Sequence, residues 1–375
     1  MGSSFGANVR VQIFGQSHSE AIGCVVDGLP AGFCVDQEKL ATFMARRAPG
    51  GKAWSTTRKE ADAVRFLSGL NERGETCGAP LSCLIENTNT RSSDYDELRR
   101  LPRPGHADYT AQVRWDGAQD VAGGGHFSGR LTAPLCAAGG IALQMLGARG
   151  VRIGAHLLSV AGAVDERFCA DATDDESSAR LAAQLDALQD GRVFPTISPC
   201  AGKEMQRAIE EARNDADSVG GVIECVATGV PAGFGSPLYD GIESAIARIV
   251  FGIPAIKGLE FGAGFSVASM RGSQNNDPYV VDDGVIRPVT NHAGGNLGGI
   301  TTGAPIVFRV AVKPTPSIGR EQDSVDLTRR VPAKLAVRGR HDPCIAPRAV
   351  PVLEAACALA VLDAMMEPPA TFTRL

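Results

Sequence analysis

Short runs of alternating apolar and polar residues, bounded by glycine and proline, recur along the chain and predict β-strands. These runs lie at 9–15 (VRVQIFG), 23–30 (GCVVDGLP), 79–87 (APLSCLIEN), 221–231 (GVIECVATGVP) and 304–314 (APIVFRVAVKP). The stretches in which apolar residues follow helical spacing are 129–146, 177–189, 203–214 and 350–366. Because the predicted strands and helices do not alternate strictly, the pattern favours an α+β fold with antiparallel sheets over a doubly wound parallel sheet.

One stretch of the chain is echoed about 200 residues later. VVDGLPAGF at 25–33 returns as VATGVPAGF at 226–234. Either a Pro-x-Gly turn is used twice by chance, or the chain has two similar halves that each supply a sheet. We expect a single domain over 1–375, with the polar, acid-rich stretch at about 165–217 as a peripheral helical excursion.

The composition of the 375-residue chain is that of an ordinary globular protein, with 44% hydrophobic and 21% charged residues. Its formal net charge of −5 argues against a nucleic-acid-binding protein, whose surface would be basic. No apolar run reaches the roughly 18 residues of a membrane span, and the N-terminus lacks the layout of a signal peptide. The 10 cysteines include no Cys-x-x-Cys pair, so we expect reduced thiols, no metal site and a cytoplasmic location.

Histidine-containing polar clusters follow several predicted turns. They are 17–20 (SHSE), directly behind the first predicted strand, 103–110 (RPGHADYT) and 339–344 (GRHDPC). Histidine beside a cation and a carboxylate suits proton transfer, because its ordinary pKa lies near neutral pH. Structural turn histidines would produce the same patterns, so the residues alone leave both interpretations open.

Cationic and glycine-rich loops are the second group of candidates. The segment 46–60 gathers arginine and lysine around a Pro-Gly-Gly turn, as in either a solvent-facing or an anion-binding loop. The glycine run at 123–125 opens into a predicted helix with Arg130 one turn in, which favours anion binding. The run matches neither a Walker loop nor the Rossmann fingerprint. Further amide-rich loops, which can wrap a planar cofactor, lie at 271–277, 291–300 and 313–317.

Six ordered blocks of the chain resemble the chorismate synthase family. Those that resemble its three signature regions are GQSHSEAIGCVVDGLP (15–30), GGGHFSGRLTAP (123–134) and GRHDPCIAPRAVPVLEA (339–355). Those that resemble further blocks are RPGHADYT (103–110), RGSQNND (271–277) and NHAGG…GGI (291–300). The resemblance runs from about residue 5 to residue 366, which is nearly the whole chain.

The resemblance implies a complete biochemical assignment. Enzymes of this family convert 5-enolpyruvylshikimate-3-phosphate to chorismate by a 1,4-anti elimination of phosphate and a ring proton, at the end of the shikimate pathway. They need reduced FMN although the reaction has no net redox change, and NADPH serves only to reduce the flavin, in some cases through a separate reductase. The implied fold is a helical core between two antiparallel sheets, assembled as a homotetramer.

The resemblance also implies roles for individual residues. It makes His18 the acid that assists phosphate departure and His106 the group that protonates the reduced flavin. Asp342 keeps flavin N5 able to accept the ring proton, while Ser17 and Ser128 organise the flavin and the nearby acids. The implied flavin contacts are His126, Phe127, Ser128, Pro254, Ala255, Gly298, Lys313, Pro314, Thr315, Pro316, Ser317 and Arg340. An acidic chain must gather cations to bind an anionic substrate, and the candidates are Arg47, Lys52, Arg58, Arg103 and Arg130.

Two positions depart from the pattern of the family. His126 begins a His-Phe-Ser-Gly-Arg segment where many members have Arg-Ser-Ser-Ala-Arg, and Ala53 stands where some members have a second arginine. These differences concern how anions are anchored and leave the reaction class unchanged. Two other functions remain as alternatives: another FMN-dependent enzyme such as a flavin reductase, and a non-enzymatic anion-binding protein.

Overall fold

The computed structural model describes residues 2–50, 54–55, 61–88, 97–171, 173–189, 194–282, 284–337 and 341–367. The first of two large sheets is built from the N-terminal part of the chain. Its strands are β1 (Ser4–Phe5), β2 (Arg10–Phe14), β3 (Ala21–Asp27), β4 (Arg65–Ser68) and β5 (Leu81–Glu86). They pair antiparallel in the order β1-β2-β3-β5-β4, which confirms three of the predicted strands.

The second large sheet is formed by later parts of the chain. Its strands are β6 (Arg152–Val160), β7 (Ala163–Val164), β8 (Gly221–Thr228), β9 (Ile256–Phe261) and β14 (Ile306–Val312). They pair antiparallel in the order β7-β6-β8-β14-β9, and β8 and β14 confirm the other two predicted strands. The remaining strands form small hairpins: β10 (Tyr279–Asp282) with β11 (Val285–Pro288), β12 (Asn296–Leu297) with β13 (Ile300–Thr301), and β15 (Gln322–Asp326) with β16 (Val331–Leu335).

A layer of helices fills the space between the two sheets. The helices of this layer are α1 (Gln37–Arg47), α3 (Thr132–Gly147), α6 (Ile242–Val250) and α8 (Ala346–Met365). Helix α3 packs on the first sheet, α8 packs on the second, and the two helices contact each other. Gly139 of α3 makes this contact close, since a Cβ there would lie 2.3 Å from the Cβ of Ala355. The sequence expectation of an α+β fold with a helical core between antiparallel sheets is confirmed.

The echoed segments occupy equivalent places in the two sheets. Each follows the central strand of its sheet, β3 or β8, and each precedes a helix of the inner layer, α1 or α6. The hydroxyl of Thr76 donates to Pro30 O at 2.6 Å, and that of Thr301 donates to Pro231 O at 2.7 Å. Both hydroxyls also accept a backbone N–H at 3.0 Å, one from Phe33 and the other from the matching phenylalanine. The chain therefore has two similar halves.

The remaining helices lie outside the central layer. They are α2 (Asp108–Trp115), α4 (Asp175–Gln189), α5 (Pro199–Asn214) and the short α7 (Gly272–Asn275). Helices α4 and α5 fall within 165–217, the stretch predicted as a helical excursion. Leu185 of α4 packs with Val226 and Val307 on the face of the second sheet that points away from the helical layer. Among the described residues, no helix has the length and apolarity needed to cross a membrane.

A buried charge network joins the second sheet to the segment that leads into α5. The His156 ring is completely buried, with Nδ1 at 3.1 Å from Asp165 Oδ2 and Nε2 at 3.2 Å from Glu224 Oε2. Arg309 adds an ion pair of 3.2 Å to Glu224. Burial disfavours the imidazolium, but the hydrogen bonds and charges of the two carboxylates outweigh burial and raise the pKa of His156.

We expect His156→Leu to lower the free energy of unfolding by about 3–5 kcal/mol, because buried carboxylates lose their partner. Since the folded-state pKa of His156 is raised, its contribution is complete below the unfolded-state pKa of about 6.5 and is lost as the pH rises through the folded value. Denaturant unfolding should be measured between about pH 5 and pH 9. The difference in free energy of unfolding between wild type and variant should shrink as the pH rises. A difference in free energy of unfolding that widens with rising pH would contradict this role of His156. His126→Leu, at an exposed histidine, is the matched control.

Candidate functional site

A cavity of about 880 Å³ lies at one end of the helical layer. Its wall includes β2 of the first sheet, the start of α3, the segment between α6 and β9, and the first turns of α8. The predicted site residues that line it are Arg47, Arg103, His106, His126, Phe127, Ser128, Arg130, Pro254, Ala255, Lys313, Thr315, Pro316, Ser317 and Asp342. Sequence segments more than 200 residues apart therefore meet at one site.

The other predicted site residues stand elsewhere. Ser17 and His18 are directly behind the cavity-lining Gly123, where a Cβ would lie 2.5 Å from Ser17 Oγ and 2.7 Å from His18 Nε2. Pro314 and Gly298 are not among the residues that line the cavity, and Gly298 lies in the turn between β12 and β13. Their roles stay predictions. The predicted residues that lie outside the described part of the chain are Lys52, Arg58 and Arg340.

The glycine run packs against the two predicted catalytic histidines. Gly123, Gly124 and Gly125 all have positive φ angles, of 63°, 84° and 53°. A Cβ on Gly124 would lie 3.3 Å from Nε2 of His106. A Cβ on Gly123 would collide with His18. Glycine is needed here for both backbone conformation and space. Adjacent residues of the run therefore lie against the two imidazoles, Gly123 against His18 and Gly124 against His106.

His106 belongs to a compact cluster with a cation and a carboxylate. Its Nδ1 lies 2.6 Å from Asp108 Oδ1, and Arg103 donates to both carboxylate oxygens of Asp108 at 2.8 Å. Arg103 also donates to the hydroxyl of Ser317 at 3.1 Å. Burial opposes the charge of Asp108, but its hydrogen bonds to Arg103 and His106 dominate and hold the pKa of that carboxyl well below its usual range. Arg103 Nη2 also lies 3.1 Å from Nδ1 of His106, so this nitrogen is occupied by the cluster and Nε2 is the nitrogen that faces the glycine run.

Two predicted substrate-binding arginines share one buried carboxylate. Arg47 Nη2 lies 2.6 Å from Asp62 Oδ2, and Arg130 pairs with the other oxygen of the same carboxylate. Arg130 also donates to Asn87 Oδ1 at 2.9 Å, and Arg47 to Thr132 Oγ1 at 3.3 Å. Burial lowers the pKa of the Arg47 guanidinium, while Asp62 opposes that effect. The two guanidinium groups and the one carboxylate therefore give this part of the cavity wall a net positive charge.

Asp342 is held by residues that the sequence analysis did not single out. Its Oδ2 pairs with Arg348 Nη1 at 2.5 Å, and its Oδ1 accepts a hydrogen bond from Ser55 Oγ at 3.2 Å. Arg348 also donates from Nε to the backbone oxygen of Arg47 at 3.0 Å. Arg348 therefore links Asp342 to the backbone of Arg47. It was identifiable in sequence only as the next arginine in the block that begins at 339.

Comparisons with known proteins agree in pointing to one family. The family model described as chorismate synthase matches residues 9–366. A chorismate synthase of Lancefieldella parvula is 48% identical over 371 residues, covering 98% of this chain and 97% of the relative. One from Archaeoglobus fulgidus is 46% identical and covers 97% of both chains. A solved structure described as a crystal structure of chorismate synthase superposes with a TM-score of 0.73 at 25% identity, covering 96% of this chain and 92% of the other. The chain therefore belongs to the chorismate synthase family.

Proposed function

We propose that the chain converts 5-enolpyruvylshikimate-3-phosphate to chorismate by 1,4-anti elimination of phosphate and a ring proton. The observation that carries this proposal is one strongly cationic cavity lined by His106 and Asp342, with His18 packed against the lining residue Gly123. A flavin reductase or a simple anion-binding protein would have no use for two histidines packed against adjacent residues of a glycine run. Neither alternative has a structural feature that favours it.

The charge of the cavity matches that of the substrate. The cationic side chains that line the cavity are Arg47, Arg103, Arg130, Arg248, Lys257, Lys313 and Arg348, and the one carboxylate among the described lining residues is Asp342. The substrate carries two carboxylates and a phosphate. Walls of one sign in a low-dielectric cleft concentrate ligands of the opposite sign. A chain with a net charge of −5 thus forms a local site for a multiply charged anion.

The residues around the glycine run supply the proton chemistry. Cleavage of the carbon–oxygen bond leaves negative charge on the departing phosphate, and an acid within reach lowers that barrier. His18 is placed for this role immediately behind Gly123. His106 contacts Asp108 through Nδ1 at 2.6 Å, and its Nε2 faces Gly124 of the run. Asp342, held by Arg348, is the carboxylate that would keep flavin N5 able to accept the ring proton.

The cavity also fits a flavin. Beside the cations it offers an apolar wall for a planar ring, made of Val11, Ile13, Leu131, Leu135, Ile345 and Val352. The glycine run leaves room where a Cβ would otherwise stand, and the buried hydroxyl of Ser17 has no hydrogen-bond partner among the described residues. Residues that would hold reduced FMN are His126, Phe127, Ser128, Ala255, Lys313, Thr315 and Ser317. When bound, the reduced flavin supplies electron density that promotes loss of phosphate.

The test is an anaerobic assay with 5-enolpyruvylshikimate-3-phosphate and FMN reduced beforehand by dithionite. We expect chorismate and inorganic phosphate to appear in equal amounts. NADPH consumption without chorismate would instead indicate a flavin reductase, and ligand binding without turnover would indicate an anion-binding protein. Replacing dithionite with NADPH then shows whether the chain reduces its own flavin or needs a separate reductase.

We further propose that the chain works as a cytoplasmic homotetramer without nucleic-acid or membrane partners. Large apolar side chains on its surface support self-association. Leu238, Tyr239 and Phe265 are 81%, 89% and 85% exposed. Light scattering should give a mass four times the 39.1 kDa of the chain, and a monomeric mass would contradict the tetramer.

A further inference from the structure

A short loop carries His18 to the glycine run. The loop, residues 16–20, connects β2 to β3. Its backbone is tied to the run at one point, where the N–H of Ser17 donates to Gly125 O at 3.2 Å. The position of the His18 imidazole therefore depends also on what holds the rest of the loop.

The rest of the loop is held by Asn87, the residue directly after β5. The backbone N–H of Asn87 donates to Glu20 O at 2.9 Å, and its side-chain Nδ2 donates to Ser19 O at 2.8 Å. The same Nδ2 lies 3.4 Å from Gln16 O. Asn87 thus contacts carbonyl oxygens on both sides of His18 in the loop.

The other end of the same amide group binds an arginine of the cavity wall. Arg130 Nε donates to Asn87 Oδ1 at 2.9 Å, and Arg130 also pairs with the buried carboxylate of Asp62. Because a guanidinium only donates and a backbone carbonyl only accepts, one orientation of the amide satisfies both partners. Asn87 is not among the described residues that line the cavity. One side chain behind the wall therefore connects the loop of the proposed acid to Arg130.

We propose that Asn87 is a positioning residue that fixes the separation between His18 and Arg130. The inference rests on the proposed function, in which His18 assists the departure of phosphate from an anion that Arg130 helps to bind. A general acid acts only within hydrogen-bond reach of the group that it protonates. A displacement of about 1 Å can cost about 10²-fold in rate. Asn87 acts on the reaction through these two side chains and touches no reacting atom.

The experiment measures kcat with pre-reduced FMN for Asn87→Ala in two backgrounds, wild type and His18→Ala. In the wild-type background we expect kcat to fall about tenfold or more, because the imidazole is no longer held in place. In the His18→Ala background no imidazole is left to misplace, so the residual kcat should stay nearly unchanged. A general loss of folded protein would lower kcat by the same factor in both backgrounds.

A second variant keeps one of the two connections. Asn87→Asp still offers an oxygen to Arg130 but turns an acceptor instead of a donor toward Ser19 O. We expect it to lower kcat in the wild-type background and to have little further effect in His18→Ala. It provides the same comparison if Asn87→Ala fails to fold.

Asn71→Ala is the matched control. Asn71 Nδ2 donates to Glu75 Oε2 at 2.8 Å, and Asn71 Oδ1 accepts the backbone N–H of Arg73 at 2.9 Å, so this side chain also donates and accepts. These three residues are not among the described residues that line the cavity. Asn71→Ala should therefore leave kcat unchanged.

The outcomes separate the positioning role from the proposed function. Equal losses from the Asn87 substitutions in both backgrounds, or no loss in the wild-type background, overturn the positioning role. Full activity in His18→Ala overturns it as well. If the wild-type chain forms chorismate, each of these results removes the role of Asn87 alone. If the wild-type chain forms no chorismate, the proposed function falls and the positioning role falls with it.

Discussion

His18→Ala is expected to reduce turnover by about 10²–10⁴-fold, the range typical of losing a general acid. The reason is that phosphate departs with developing negative charge, and the position behind Gly123 puts this imidazole nearest to the glycine run that lines the cavity. Affinity for the substrate and for FMN should persist, because cations elsewhere in the wall bind the anions. The measurement is turnover with pre-reduced FMN, paired with calorimetric affinities.

The matched control for this prediction is a histidine outside the cavity. His292 is 28% exposed at its side chain and lies 3.2 Å from Asp277, so His292→Ala removes an imidazole and should leave turnover intact. His106→Ala should cause a loss similar to that of His18→Ala, and the double variant should lose far less than the product of the two, because both groups serve one sequence of events. Full activity in His18→Ala would remove this residue from the mechanism. A loss explained wholly by weaker binding would make it a binding residue.

Gly123→Ala is expected to reduce turnover by about 10²-fold while the chain remains folded, as when catalytic groups are misplaced by about 1 Å. The new Cβ would lie 2.5 Å from Ser17 Oγ and 2.7 Å from His18 Nε2, so both side chains must move. The positive φ of 63° adds strain of about 1–2 kcal/mol for a residue with a side chain. Turnover and the free energy of unfolding should be measured on the same preparation.

Gly74→Ala is the matched control, because it separates the effect of the Cβ collision from the effect of backbone strain. Gly74 has a φ of +75° and nothing within 4 Å of a Cβ, so the variant suffers the strain without displacing any neighbour. Gly123→Ala should lose more free energy of unfolding than Gly74→Ala, by the cost of the collision, and only Gly123→Ala should lose turnover. Equal activity in the two variants would show that the space beside Ser17 and His18 has no catalytic importance.

The pattern of apolar residues predicted the overall architecture correctly but missed some of the individual strands and helices. Strands such as β3 and β14 and the buried helices α3 and α8 carry marked apolar runs and were predicted. Strand β6 was missed because Gly154, Ala155 and His156 interrupt its run of large apolar residues. Helix α1 was missed because it buries few residues, Leu40 and Met44 among them, along a largely polar sequence. The internal echo was visible, but the matching Thr76 and Thr301 were not, since their partners lie tens of residues away.

The site was predictable where a residue belongs to a motif and unpredictable where its role comes from tertiary contact. Fourteen of the predicted site residues line one cavity. Asp62 was missed because it is an isolated aspartate in sequence, and only the fold places it between two arginines. The glycine run was predicted to open into a helix with Arg130 one turn in, whereas α3 begins only at Thr132 and Arg130 precedes it. The structure shows in addition that Cβ atoms on the run would collide with Ser17 and His18 and lie 3.3 Å from His106. Lys257 has no motif at all and depends on a bulge for its position.

The most direct test of the proposed elimination is the stoichiometry of product to reduced flavin under strict anaerobic conditions. A limiting amount of pre-reduced FMN is mixed with the chain and excess 5-enolpyruvylshikimate-3-phosphate, while flavin absorbance, chorismate and phosphate are followed together. The proposed reaction predicts many equivalents of chorismate and phosphate per flavin, with the flavin still reduced at the end. One equivalent or less of product per flavin, with the flavin oxidised in proportion, would contradict it.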